Sequence, residues 1–309
     1  MKLLRRFENP ELYRGGFVSI GNFDGVHRGH QLMAEVLVGK ARALGVPAVV
    51  LTFDPHPTAL LRPEHVPPSL CTTEYKAELL GRCGVDCVIA YPTDLKFLSL
   101  SPAEFFEKIV RAELDARGLV EGPNFFFGHD RQGNVATLGE LCHQARLGLE
   151  IIPPVVVGSC LVSSSAIRSQ IAAGSLASAV EMLGHPYRMQ GRVVRGAERG
   201  RSIGFPTANL AEVATLLPAD GVYAGVVSID GRMMAAAVHL GSNPTFDEGE
   251  RKLEVHVLDY AGDLYGRSLD VDLLDRVRGT ERFAGAEALK AQLERDVKSV
   301  RAIVARAGV

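Results

Sequence analysis

Near Gly184-His185-Pro186 the spacing of apolar residues changes, and that change limits the fold more than any other feature of the chain. Before it, strand-like and helix-like patterns alternate. Phe17-Val18-Ser19-Ile20 is a short apolar strand running into a Gly-rich loop, Gln31 to Leu44 has helical spacing, and Ala48 to Phe53 is a second buried strand, so the three form a βαβ unit. Ser101-Pro102-Ala103-Glu104 supplies an N-cap, a proline for the first turn and a capping-box glutamate, with Phe105, Phe106, Ile109 and Val110 following at helical positions. Val85 to Ala90 and Glu150 to Val157 read as further buried strands. This alternation predicts a doubly wound, Rossmann-like α/β sheet. After the break come short β segments: Arg188 to Arg195, Val222 to Ile229, Met233 to Leu240, Leu253 to Leu258 and Leu269 to Leu274. Asp230-Gly231 between two of them is a two-residue hairpin signal. Such strands predict a small β-barrel, with an amphipathic helix over Ala286 to Ala305 to close or flank it. The expected domains are 1–184 and 185–309.

At 309 residues and roughly 150 residues per domain, two domains is also the expectation from size. The net charge of −2 argues against a chain that coats nucleic acid or an anionic membrane, because both call for a broad excess of positive charge. No apolar run approaches a membrane span, and the basic N-terminus lacks the apolar segment of a secretory signal, so a cytoplasmic protein is expected. Five cysteines at irregular spacing, without a CxxC pair, read as reduced structural thiols. Nothing in the residues supports an oligomer.

The loop from Gly21 to His30 follows a strand and opens a helix, which is where an open α/β sheet binds phosphate. His27 and His30 flank Gly29 and could both hydrogen-bond one phosphoryl group; a zinc pair would need further ligands, and none is placed nearby. Ser163, Ser164 and Ser165 stand at a helix start that favours anions, with Arg168 one turn on. On the residues alone these are equally N-caps and a solvated helix face. Asn124 lies in a Gly-Pro-flanked loop with three phenylalanines, as turn residue or ligand contact. His56, framed by prolines, suits a binding loop and a structural turn about equally.

Four stretches in order carry a resemblance: Ile20 to His30 with its HxGH string, Thr52-Phe53-Asp54-Pro55-His56-Pro57, Gly122 to Gly128, and Val162 to Arg168. Together they resemble the prokaryotic bifunctional riboflavin kinase/FMN adenylyltransferases. The resemblance implies that His27 and His30 stabilise charge on the α-phosphate of ATP and its leaving group. It implies that Gly21, Phe23, Asp24, Gly29, Ser163, Ser164, Ser165 and Arg168 belong to the nucleotide and phosphate site, and that Asn124 and His56 lie on the flavin side. His129 departs from the Lys or Arg of many relatives.

In the second half, Gly191, Gly196, Gly200 and Gly204 recur through a stretch with five arginines from Arg188 to Arg201, opposed only by Glu198. Such a loop can wrap an anion with backbone N–H groups, and its glycines can equally be bulges and turns. The string ending in Pro206-Thr207-Ala208-Asn209 resembles the riboflavin kinase signature. That implies phosphate binding by Gly196, Gly200, Arg201, Gly204, Thr207 and Asn209, with Thr207 and Asn209 also holding Mg²⁺. Glu254 alternates with Leu253, Val255 and Val257, so it points away from their face; on alternation alone it is an exposed strand glutamate. By resemblance it is the base for the ribityl 5′-hydroxyl. Leu217 to Tyr223, Asn243-Pro244-Thr245-Phe246 and Asp263 to Gly266 also match, with Asn243 in place of an arginine common in bacterial relatives.

The resemblance covers about residues 15 to 305. It implies a transferase that phosphorylates riboflavin to FMN with ATP in the barrel and adenylylates FMN to FAD with a second ATP in the α/β domain, with Mg²⁺ in both steps and small molecules as partners. The rival readings are a chain retaining one of the activities and a flavin-binding regulator without turnover.

Overall fold

A computed structural model describes residues 1–196, 200, 204–243 and 248–308, the side chains of 243 and 248–250 excepted. Arg201 and the 244–246 stretch singled out from the sequence lie outside the described residues, as does the side chain of Asn243. The chain forms two compact units. One comprises Met1–Pro67 with Thr72–Ser163, the other Pro68–Cys71 with Ser164–Val309.

The first unit is built on six strands: β1 (Lys2–Leu4), β2 (Phe17–Ile20), β3 (Ala48–Phe53), β4 (Cys87–Tyr91), β5 (Gly118–Glu121) and β6 (Gly148–Ile151). Their order is β1-β4-β3-β2-β5-β6, and every pairing is parallel. The order reverses direction at β2, which is therefore the switch point where such a sheet opens a ligand crevice. Both faces of a parallel sheet are covered, and β3 accordingly reads as an unbroken apolar run buried from Ala48 to Leu51. Helix Arg28–Leu44 packs on β2, β3 and β5 through Ala34, Leu37 and Ala41, and ends where Gly45 takes a left-handed φ of 64°. The capping box at Ser101 and Glu104 forms as expected, although the helix it starts widens to a π-type turn over Phe106–Glu113.

One expected strand is corrected. The run from Glu150 to Val157 divides into β6 and a two-residue strand, β7 (Val156–Val157), paired with β8 (Cys160–Leu161), because Pro153 and Pro154 cannot donate to a ladder.

In the second unit, β9 (Tyr187–Val194), β10 (Ala208–Ala211), β11 (Gly221–Ile229), β12 (Arg232–Asn243), β13 (Glu248–Val257) and β14 (Ser268–Arg278) close an antiparallel barrel in the order β10-β13-β12-β11-β14-β9. The expected hairpin joins β11 to β12, with Asp230 and Gly231 at φ of 50° and 78°. Val238, Leu240, Val255 and Val257 are buried at alternate positions, as the two-residue period requires. The helix Ala286–Ala307 packs on β11, β12 and β14, seating Val300 and Val304 against Ala224, Val226 and Leu274. The rhythm change near residue 184 marks the start of the barrel's first strand. The two helices before it, Ser164–Ala172 and Leu176–Leu183, belong to the same compact unit as the barrel.

Candidate active sites

In the first unit, a cavity of about 280 Å³ opens where β2 and β5 end. Gly21, Asn22, Phe23, His27, Gly29, His30, Asn124 and Ser163 all contribute to its wall. His27 is the N-cap of helix Arg28–Leu44, and its Nδ1 accepts the His30 backbone N–H at 3.4 Å. That bond assigns the ring proton to Nε2, which leaves an N–H donor on the other edge of the ring. The two imidazoles stack with centroids 3.6 Å apart, and Phe23 packs against His30 at 4.9 Å. Gly29 permits this close stack, since a Cβ there would lie 3.2 Å from the His27 ring. Burial, then the neighbouring His27 and Lys76, hold the His30 pKa well below its usual value, so the ring is neutral at physiological pH. His30 Nδ1 and Asn22 Oδ1 are buried without a partner among the described residues, which suits a wall that waits for a ligand.

Other residues singled out from the sequence are placed differently. Asp24 is buried at 8% exposure and does not line the cavity. His56 is also outside its wall; it caps the helix Pro57–Leu61 by accepting the Thr58 N–H at 3.1 Å. Ser164 and Ser165 begin the helix Ser164–Ala172 in the second unit, and Arg168 there donates through Nε to the Pro68 carbonyl at 2.8 Å. Of the three phenylalanines near Asn124, Phe125 lines the cavity and stacks on Phe127, which is core, while Phe126 is exposed beneath Arg131. His129 is exposed beside Asp130 at 3.5 Å.

The barrel carries a different arrangement. Asn209, Glu254 and His239 occupy one row across β10, β13 and β12, each directly opposite the next in the ladder. Glu254 Oε2 and His239 Nδ1 are 3.9 Å apart and both side chains are about four-fifths buried. Burial, followed by the charge of Arg278, lowers the His239 pKa and keeps that ring neutral. Arg278 in turn forks onto Asp296 of the C-terminal helix at 2.9 Å, with Asp296 almost wholly buried. The backbone of Gly196 lies against the Asn209 amide, so a Cβ there would collide with it, and Gly200 approaches the Phe205 carbonyl as closely. Gly204 has a φ of 88°, a turn that favours glycine. Thr207 contributes to the wall of a second cavity, of about 450 Å³, while Asn209 and Glu254 do not line it.

The basic cluster expected around this loop is smaller than the sequence suggested. Arg188 is paired with Asp272 across β9 and β14 at 2.7 Å, through both Nε and the terminal nitrogen, so its charge is neutralised within the sheet.

The donor chemistry of Thr207 and Asn209 fits Mg²⁺, since neutral oxygen ligands suit an ion that keeps its waters and shares phosphates.

Comparison with known proteins decides the family. Residues 9–166 match the FAD synthetase model and residues 183–304 the riboflavin kinase model. This chain belongs to the bifunctional riboflavin kinase/FMN adenylyltransferase family. It is 36% identical over 306 residues to the bifunctional riboflavin kinase/FMN adenylyltransferase of Escherichia coli strain K12, covering 97% of each chain. It is 39% identical over 308 residues to that of Pseudomonas fluorescens, covering 99% of this chain and 98% of the relative. Among solved structures, a Streptococcus pneumoniae chain titled a macrolide-efflux protein superposes with a TM-score of 0.86 at 33% identity, covering 97% of this chain and 98% of that one. No helix among the described residues is long and apolar enough to cross a membrane. As a family member the chain pairs an α/β domain with a barrel, both evident in its own strand order.

Sequence reading overlooked Asn22, Lys76, Glu121 and His239. A signal existed for Glu121, an acid closing the apolar run Leu119-Val120 just before Gly122-Pro123. Lys76 gave none, since its burial depends on Thr52, whose hydroxyl it meets at 3.3 Å.

Proposed function

We infer that this chain is a transferase that phosphorylates riboflavin to FMN with ATP and then adenylylates FMN to FAD, releasing pyrophosphate. The match of both family models, in order along one chain, carries the inference. The cavity around His27 and His30 is the proposed adenylylation site. There the FMN phosphate must attack the α-phosphorus in line with the departing pyrophosphate, so catalysis is positioning and charge stabilisation. His27 and His30, the latter held neutral by burial, donate N–H bonds to phosphoryl oxygens as charge develops on them, at a helix N-terminus whose dipole favours anions. Asn22 and Asn124 supply polar contacts in the same wall, Asn124 on the flavin side and Ser163 on the phosphate side.

In the barrel unit, Glu254 is the proposed base that takes the proton from the ribityl 5′-hydroxyl. Its place opposite Asn209 supports this, because base and phosphate ligand are then within one ladder step. Gly196, Gly200, Gly204 and Arg201 complete the phosphate loop, and Thr207 with Asn209 would hold Mg²⁺. Bound there, the ion would neutralise polyphosphate charge. The same ion is proposed for the adenylylation step. The division of labour proposed is 1–184 for adenylylation and 185–309 for the kinase, with Arg168 and the serines from Ser163 to Ser165 contributing to phosphate binding. Placement in the cytoplasm belongs to this reading and is supported by five free thiols. Incubation with riboflavin, ATP and Mg²⁺, with flavins separated by chromatography, tests it: FMN and then FAD should accumulate, and a preparation forming neither would overturn it.

A further inference from the structure

The wall of the His27–His30 cavity contains one carboxyl group, that of Glu121, and the residue is 1% exposed. Glu121 ends β5, whose pairing with β2 is Phe17 to Gly118 and Val18 to Leu119. Beyond those pairs the strands part, and Glu121 Oε1 takes over the next role by accepting the Ile20 N–H at 2.8 Å. Ile20 immediately precedes Gly21, so the carboxyl sits at the root of the phosphate loop. Among the described residues it has no other hydrogen-bond partner. Ion pairing does not account for this buried acid, since no cation meets it among the described residues.

An ionised carboxylate beside two phosphate-bearing substrates would repel both. Burial instead holds the Glu121 pKa well above the usual carboxylate range, against the opposing pull of the Ile20 N–H, so the group is a neutral acid with one O–H to give. The titratable groups around it leave that state undisturbed. His30 in the same wall is itself held neutral, and the Cys142 thiol from helix Val135–Ala145 is pushed up to about 11 by burial. His27 also shares the wall, and Glu150 on neighbouring β6 pairs with Lys40 at 2.9 Å.

We propose that Glu121 binds substrate as a neutral carboxylic acid, donating a hydrogen bond to a phosphate oxygen in the adenylylation cavity. The proposal rests on reading this cavity as the FMN adenylylation site. It makes substrate affinity depend on a proton: as pH rises through the raised pKa, the donor becomes a second anion and affinity falls.

The test measures KM for FMN and for ATP in FAD formation from neutral into alkaline pH, on wild type, Glu121→Gln and Glu121→Leu. The amide of Glu121→Gln keeps an N–H donor and the acceptor for Ile20 but cannot ionise. Wild-type KM should climb as pH passes the raised Glu121 pKa, whereas Glu121→Gln starts about threefold higher at neutral pH and stays level. Glu121→Leu should hold KM about tenfold above the wild-type value of neutral pH and stay level, with thermal melting and FMN formation from riboflavin reporting that both units remain folded. Movement of the FMN constant assigns the contact to the FMN phosphate, and movement of the ATP constant to the triphosphate. Parallel pH curves for wild type and Glu121→Gln would overturn the proposal, and so would unchanged constants in a folded Glu121→Leu. Failure of the wild type to form FAD at any pH would instead sink the adenylylation reading itself.

Discussion

The two sites are built from the same kinds of residue by opposite means. In the α/β unit, the wall forms where parallel strands end, and one continuous loop from Gly21 to His30 delivers half of its polar side chains. In the barrel, polar groups lie along strands that continue past them, and the row Asn209, Glu254, His239 exists only because three distant segments share a register. A parallel sheet concentrates function at its carboxyl ends, where alternation no longer applies. A barrel must instead place function on one face of its alternating strands, opposite a packed interior. The first site should therefore fail through its loop and the second through its register.

The sharpest test of this separation is the double substitution His27→Ala with His30→Ala. FAD formation from FMN should fall at least about a thousandfold, while FMN formation from riboflavin is unchanged. Glu254→Gln should do the reverse, lowering riboflavin phosphorylation by about a hundredfold or more and sparing adenylylation of supplied FMN. Loss of both activities in either folded variant would break the comparison. Asp296→Ala comes next. It strands the Arg278 guanidinium beneath the C-terminal helix and should destabilise the barrel unit by about 3 kcal/mol, so that in calorimetry the barrel melts first and kinase activity is lost at temperatures where adenylylation persists.

This contrast also governs how much could be read from the sequence. The change from alternating elements to short strands predicted both architectures, and the contiguous loop from Gly21 to His30 placed His27, Gly29 and His30 in one wall, although Asp24 falls outside it and Asn22 inside. The barrel row was only half legible, because Glu254 could be put on the polar side of its strand by alternation, but nothing local announces that His239 stands opposite it. Arg188 misled for the same reason: its partner Asp272 is remote in sequence and adjacent only across the ladder. His56 and Asp24 looked like site residues by their surroundings in the chain. Folding gives the first to a helix cap and buries the second outside the cavity lining.

The smallest expected effect compares the two units through acid. Each contains a histidine whose pKa is lowered by burial, His30 more strongly than His239. At these two histidines the unfolded chain therefore binds more protons than the folded one below about pH 6.5, and each costs its unit at most about 1.4 kcal/mol per pH unit as pH falls through that value; in the α/β unit the protonated Glu121 offsets the His30 term until the unfolded carboxyl takes up its own proton near about pH 4.3. The loss ends once the folded-state pKa is passed. Since that point lies lower for His30, destabilisation of the α/β unit should continue into more acidic solution than that of the barrel. Urea titrations of wild type and of His30→Gln and His239→Asn, followed from neutral to acidic pH, check this, because each substitution should flatten the slope of its own unit alone. A His30→Gln chain whose α/β unit kept the full acid slope would show that other groups, and not the stacked imidazoles, set the acid limit of that unit.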